Sequence, residues 1–127
     1  IYGILSTTPK GWGFNFYEDK PWFTCLNKVS QKNIDIAMHE IMHAFFIKYF
    51  KEYYKKKFEL SKNQIWIVQE SLTIILNLEI RDLMSKEDKG YPKYRKLRER
   101  IRKSWTKHIE ITKILTDICQ IVKKEYK

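Results

Sequence analysis

The sequence predicts an α+β domain, in which a small N-terminal antiparallel sheet of two or three strands packs on a three-helix core with the first helix central. Three observations predict it. Gly3, Gly11 and Gly13, with Pro9 and Pro21, crowd the start of the chain, and the next glycine is Gly90. That start is rich in aromatic and β-branched residues, whereas the remainder repeats apolar residues at steps of three and four. At 127 residues the chain is long enough for one hydrophobic core and too short for two, so a single domain over 1–127 is expected.

Each element has its own signal. Residues 1–28 read as strands through "YGILST", "WGFNFY" and "WFTCLN", with "EDKP" at Glu18 to Pro21 as a hairpin connection. A first helix over 30–55 starts at Ser30 or Asn33, either of which can cap it, and Lys55, Lys56 and Lys57 suit its negative end. A second helix over 61–85 opens on Ser61-Lys62-Asn63-Gln64, which has the form of a capping box. The stretch "KEDKGYP", Lys86 to Pro92, reads as a turn, and Pro92 suits the first turn of a third helix over 92–126. The inward stripe of that helix runs through Tyr94, Leu97, Ile101, Trp105, His108, Ile111, Leu115, Ile118 and Val122.

Composition narrows the function class. The net charge of +10 would attract polyanions. Lysine, isoleucine, tyrosine and asparagine are abundant together, however, so the charge reads as lysine on solvated faces, and nucleic-acid binding is set aside as a main function. Cys25 and Cys119 show no disulfide-framework or CxxC spacing, which points to a reducing, cytoplasmic setting. "IYGIL" is too short and uncharged for a signal peptide, and the longest apolar run, Ile65 to Leu83, is broken by Gln69, Glu70, Asn77, Glu79, Arg81 and Asp82. No membrane partner is expected, and a monomer is assumed.

The chemistry concentrates in "DIAMHEIMHAFF", Asp35 to Phe46. It holds His39-Glu40-Ile41-Met42-His43, the HExxH pattern, inside an otherwise apolar helix. Residues four apart on a helix lie about 40° apart around the axis and about 6 Å along it, so both imidazoles can grip one ion. Glu40, rotated by about 100° from His39, falls beside the ion, where a general base for an activated water belongs. Neutral imidazole suits zinc, and a catalytic zinc needs a third protein ligand and an open position. Glu70, in "IWIVQESLTIILN", is the candidate, because a carboxylate in that apolar segment is costly unless paired or metal-bound. The turn at Phe58 to Ser61 would return it antiparallel to His39 and His43. Two alternatives stand beside this. The four residues could form a buried polar network without metal, or a metal-binding domain could serve a regulatory or latent role without peptidase activity.

HExxH on one helix and a glutamate ligand on the next resemble the gluzincin zinc metallopeptidases, and the small size resembles their minimal, minigluzincin-like members. The resemblance covers roughly 34–77 and rests on His39, Glu40, His43 and Glu70. It implies a zincin-like fold, one catalytic zinc on His39, His43 and Glu70, and Glu40 as the residue that polarises the attacking water. Thermolysin-like members place an aspartate four residues after the glutamate ligand, to orient a zinc-binding histidine. Here that position is Ile74, and Thr73 or Asn77 could take the supporting role.

The expected activity is endopeptidase hydrolysis of a peptide or protein substrate. Glu40 takes the proton of a zinc-activated water and passes it to the leaving amine. An oxyanion donor is also needed. His108, on the inward stripe of the third helix, is the candidate, with Tyr91 and Tyr94 as rivals and an ordinary boundary histidine as the plain alternative. Substrate would lie along the edge of the N-terminal sheet, with "GWGFNFY" as the edge strand. The basic run from Lys93 to Lys107 is a solvated face that could favour acidic substrates or partners.

Overall fold

The apolar run that carries the HExxH pattern forms helix α1 (Gln31–Phe46), which continues through a π-helical turn, Ile47–Lys51, into α2 (Glu52–Lys57). The structure, a computed structural model, describes the backbone of residues 2–6, 13–17, 20–26, 31–105 and 110–127, and the side chains of residues 34–105 and 110–127. Glu59 takes the left-handed conformation (φ 49°), which turns the chain back just after α2 ends.

Ser61 then starts α3 (Lys62–Leu72) with a complete capping box. Its hydroxyl accepts from Gln64 N–H at 3.2 Å, and its own N–H donates to Gln64 Oε1 at 2.9 Å. The Gln64 amide also donates to the Tyr126 carbonyl at 2.7 Å, and Tyr54 donates to the Thr112 carbonyl at 2.9 Å, so both the second and the last helices are tied across the core. A break at Thr73 separates α3 from α4 (Ile74–Glu79), and a 3-10 turn, Arg81–Leu83, leads into a connecting strap over residues 84–91. After a 3-10 turn begun by Pro92 come α5 (Arg95–Trp105) and α6 (Ile111–Glu125).

The expected fold class needs correction. Over the residues with described side chains every regular element is helical and none is a strand, so an antiparallel sheet packed on a three-helix core is not the architecture of this body. The physical reason lies in who buries whom. The apolar core is filled by Phe46, Tyr54, Ile67, Val68, Leu97, Ile101, Leu115 and Val122, all from helices that cover one another. Earlier in the chain, the backbones of β1 (Tyr2–Ser6), β2 (Gly13–Tyr17) and β3 (Lys20–Leu26) pair in the order β1-β3-β2. Even there β1 runs parallel to β3, contrary to the antiparallel expectation. The proposed substrate edge, "GWGFNFY", lies outside the residues whose side chains are described.

The third helix is also corrected. A single helix over 92–126 would be ~50 Å long, well beyond the ~30 Å of a small domain, and much of its stripe would bury nothing. The structure has two helices instead, α5 and α6, and their stripes are buried from both sides: Tyr94, Leu97 and Ile101 in one part, Leu115, Ile118 and Val122 in the other. The second helix is shorter than its expected span, since its α-helical part ends at Glu79. No helix among the described residues is long and apolar enough to cross a membrane.

Candidate metal centre

The antiparallel return from α1–α2 into α3 sets Glu70 against the HExxH face. One ligand atom each from His39, His43 and Glu70 lies within 4.8 Å of the others. His43 Nε2 is 3.3 Å from Glu70 Oε1, and His39 Nε2 is 3.8 Å from Glu70 Oε2. His43 and Glu70 are buried, and His39 is half-buried.

The donor set fits zinc. Two imidazoles and one carboxylate are the ligands of a catalytic zinc site, and ligands ~2.1 Å from a tetrahedral ion stand ~3.4 Å apart, near the two histidine–carboxylate distances, which run to different oxygens of Glu70. The tautomer of His39 adds a second argument. Its Nδ1 donates to Asp88 Oδ2 at 2.6 Å, so in the neutral ring the lone pair of Nε2 faces the Glu70 carboxylate. A proton or a metal ion between them would relieve the repulsion of two facing lone pairs. Burial lowers the pKa of His39, but the hydrogen bond and charge of Asp88, with Glu70 and Glu40, outweigh it and hold the pKa above the ordinary value. The same carboxylates would favour a divalent ion in the proton's place.

His43 is held differently. Its Nδ1 is buried and has no hydrogen-bond partner among the described residues, so the one polar contact described for that ring is Nε2 with Glu70.

Compared with family models, curated proteins and solved structures, the chain matches none.

Asp88 is the site residue that the sequence pattern missed. The strap brings it to His39, and a dense set of donors holds it. The Thr73 hydroxyl lies 3.0 Å from Asp88 Oδ1, Arg98 Nη2 donates to the same oxygen at 3.0 Å, and the Gly90 N–H donates to it at 3.1 Å. Asn77 clasps the backbone of Asp88 from both sides, with Oδ1 accepting from its N–H at 2.7 Å and Nδ2 donating to its carbonyl at 2.8 Å. Burial raises the pKa of Asp88, but the hydrogen bond and charge of His39, the charge of Arg98 and the Thr73 bond outweigh it and keep the carboxyl below its ordinary range. Thr73 and Asn77 both contact Asp88, and the Thr73 hydroxyl also donates to the Glu70 carbonyl at 2.9 Å.

A cleft of about 590 Å³ opens beside the ligands. Ile36, His39 and Glu40 of α1 form one wall, Glu70 lies at its floor, and the strap from Met84 to Tyr91 forms the other wall. Asp35, at the α1 end, anchors the strap by accepting from the Ser85 N–H at 2.8 Å and from the Ser85 hydroxyl. Glu40 makes no hydrogen bond or ion pair among the described residues, so its carboxylate faces the cleft unengaged. Of the residues considered for the oxyanion, Tyr91 lines the cleft and rests on Trp66, whereas Tyr94 is buried in the core beside Tyr126. His108 lies outside the described residues.

Proposed function

We propose that the chain is a zinc-dependent peptidase of gluzincin type that cleaves peptide bonds, with His39, His43 and Glu70 holding the ion and Glu40 as general base. The convergence of those three ligands beside an open cleft that His39 and Glu70 line, with the Glu40 carboxylate on its wall, supports the proposal. When bound, zinc supplies a Lewis acid and an acidified water.

The chain's own residues do the rest. Glu40 would accept a proton from the attacking water and return it to the departing amine, a role open to it because it makes no hydrogen bond or ion pair among the described residues. Asp88 holds the proton on Nδ1 of His39 and so turns Nε2 toward Glu70. Tyr91, on the rim, offers a phenolic donor to the developing oxyanion. Met84 and Ile36 give the cleft apolar wall, where a peptide displaces water.

Glu40→Gln tests the reading. The amide is isosteric but cannot take a proton, so cleavage of a mixed peptide substrate should fall by roughly 10²–10⁴-fold while zinc content stays at the wild-type level. Undiminished cleavage by the variant would remove Glu40 from the mechanism.

A further inference from the structure

Arg98 stands out from its helix. α5 is otherwise a basic, solvated face, with Arg95, Lys96, Arg100, Arg102 and Lys103 exposed, yet Arg98 is 4% exposed. Taking a guanidinium out of water is costly unless its N–H groups all find acceptors. Those of Arg98 find acceptors on two elements at once. Nη1 donates to the Glu70 carbonyl at 3.1 Å and to the Thr73 hydroxyl at 2.6 Å, and Nη2 donates to the Asp88 carbonyl at 2.5 Å and to Asp88 Oδ1 at 3.0 Å.

One planar group thus joins the backbone of the third ligand to the carboxylate that orients the first. Its place is fixed from the strap side too. A Cβ on Gly90 would come within 2.7 Å of the guanidinium carbon, and Gly90 has the left-handed φ of 56°. The plane of Arg98 is therefore clamped between α3 and the strap, and it brings a positive charge beside Asp88 and Glu70.

We infer that Arg98 is a positioning residue of the metal site, which sets the separation and orientation of Glu70 and His39 by spanning Glu70, Thr73 and Asp88 with one guanidinium. The inference rests on the zinc reading given above. Lysine keeps the charge but offers a single ammonium in place of a rigid fork, so it can reach only part of this acceptor set.

The test is zinc affinity by chelator competition, with the visible spectrum of the cobalt-substituted protein as a measure of ligand geometry. Arg98→Lys should bind zinc about 10- to 100-fold more weakly than wild type and show an altered cobalt spectrum, while its circular dichroism keeps the helical signal. Thr73→Val, nearly isosteric, removes the hydroxyl at the centre of the set and should weaken zinc binding in the same direction by less than tenfold. Arg98→Ala should regain part of its affinity in added guanidinium ion and none in added sodium. If wild type binds zinc and Arg98→Lys matches it within twofold with an unchanged cobalt spectrum, the inference is overturned and the zinc reading stands. If wild type takes up no zinc, both fall together.

Discussion

The two walls of the cleft are built on different logic. On the α1 side, His39 and Glu40 line the cleft and His43 lies one turn further along the same helix, and their mutual geometry follows from helical spacing alone. On the strap wall, Asp88 hangs from irregular backbone, and its position depends on Ser85, Asn77, Thr73, Gly90 and Arg98 acting together. The helix supplies chemistry at a fixed pitch. The strap supplies orientation, and it needs many weak contacts to do so because no regular hydrogen-bonding pattern holds it.

This contrast predicts graded losses. Glu70→Ala removes a ligand itself. If the ~10–16 kcal/mol typical of four-ligand zinc sites is shared evenly, each ligand accounts for about 2.5–4 kcal/mol, so zinc affinity should fall roughly 10²–10³-fold in equilibrium dialysis. Asp88→Asn leaves every proposed ligand in place and acts through the orientation of His39 and the Arg98 contacts, so the fall should be smaller, about 10- to 100-fold. A loss for Asp88→Asn as deep as for Glu70→Ala would make Asp88 a ligand and break the distinction between the walls.

Gly90→Ala should have the smallest effect on the ion and a measurable one on the fold. The left-handed backbone costs a side chain about 1–2 kcal/mol, and the new Cβ presses on Arg98. Thermal unfolding should move down by several degrees, with zinc affinity within about tenfold of wild type. An unchanged melting temperature would mean that the strap does not grip Arg98 as tightly as the packing implies.

The same contrast explains what could be read from the chain. HExxH was legible because one helical period fixes His39, Glu40 and His43, and Glu70 was legible because a lone acid in "IWIVQESLTIILN" has no cheaper explanation than a partner. The Ser61 capping box is local and was legible for that reason. Asp88 was hidden because Asp-Lys-Gly satisfies the chemistry of an ordinary turn, so nothing local asks for more. Arg98 left a trace, since it falls four residues after Tyr94 and three before Ile101, both buried, but a basic run masks one inward arginine among outward ones. The N-terminal strand pattern suggests a sheet layer over the core, and nothing local in the sequence argues against it. The apolar faces of α5 and α6 close that core instead.

The central claim is that one zinc ion joins His39, His43 and Glu70. Anomalous diffraction from crystals grown with zinc, recorded on both sides of the zinc edge, tests it most directly. A single strong peak is expected about 2 Å from Nε2 of both histidines and from a Glu70 carboxylate oxygen, with Asp88 still bonded to His39 Nδ1. No peak among those three residues, or a peak held by Asp88 in place of Glu70, would contradict it.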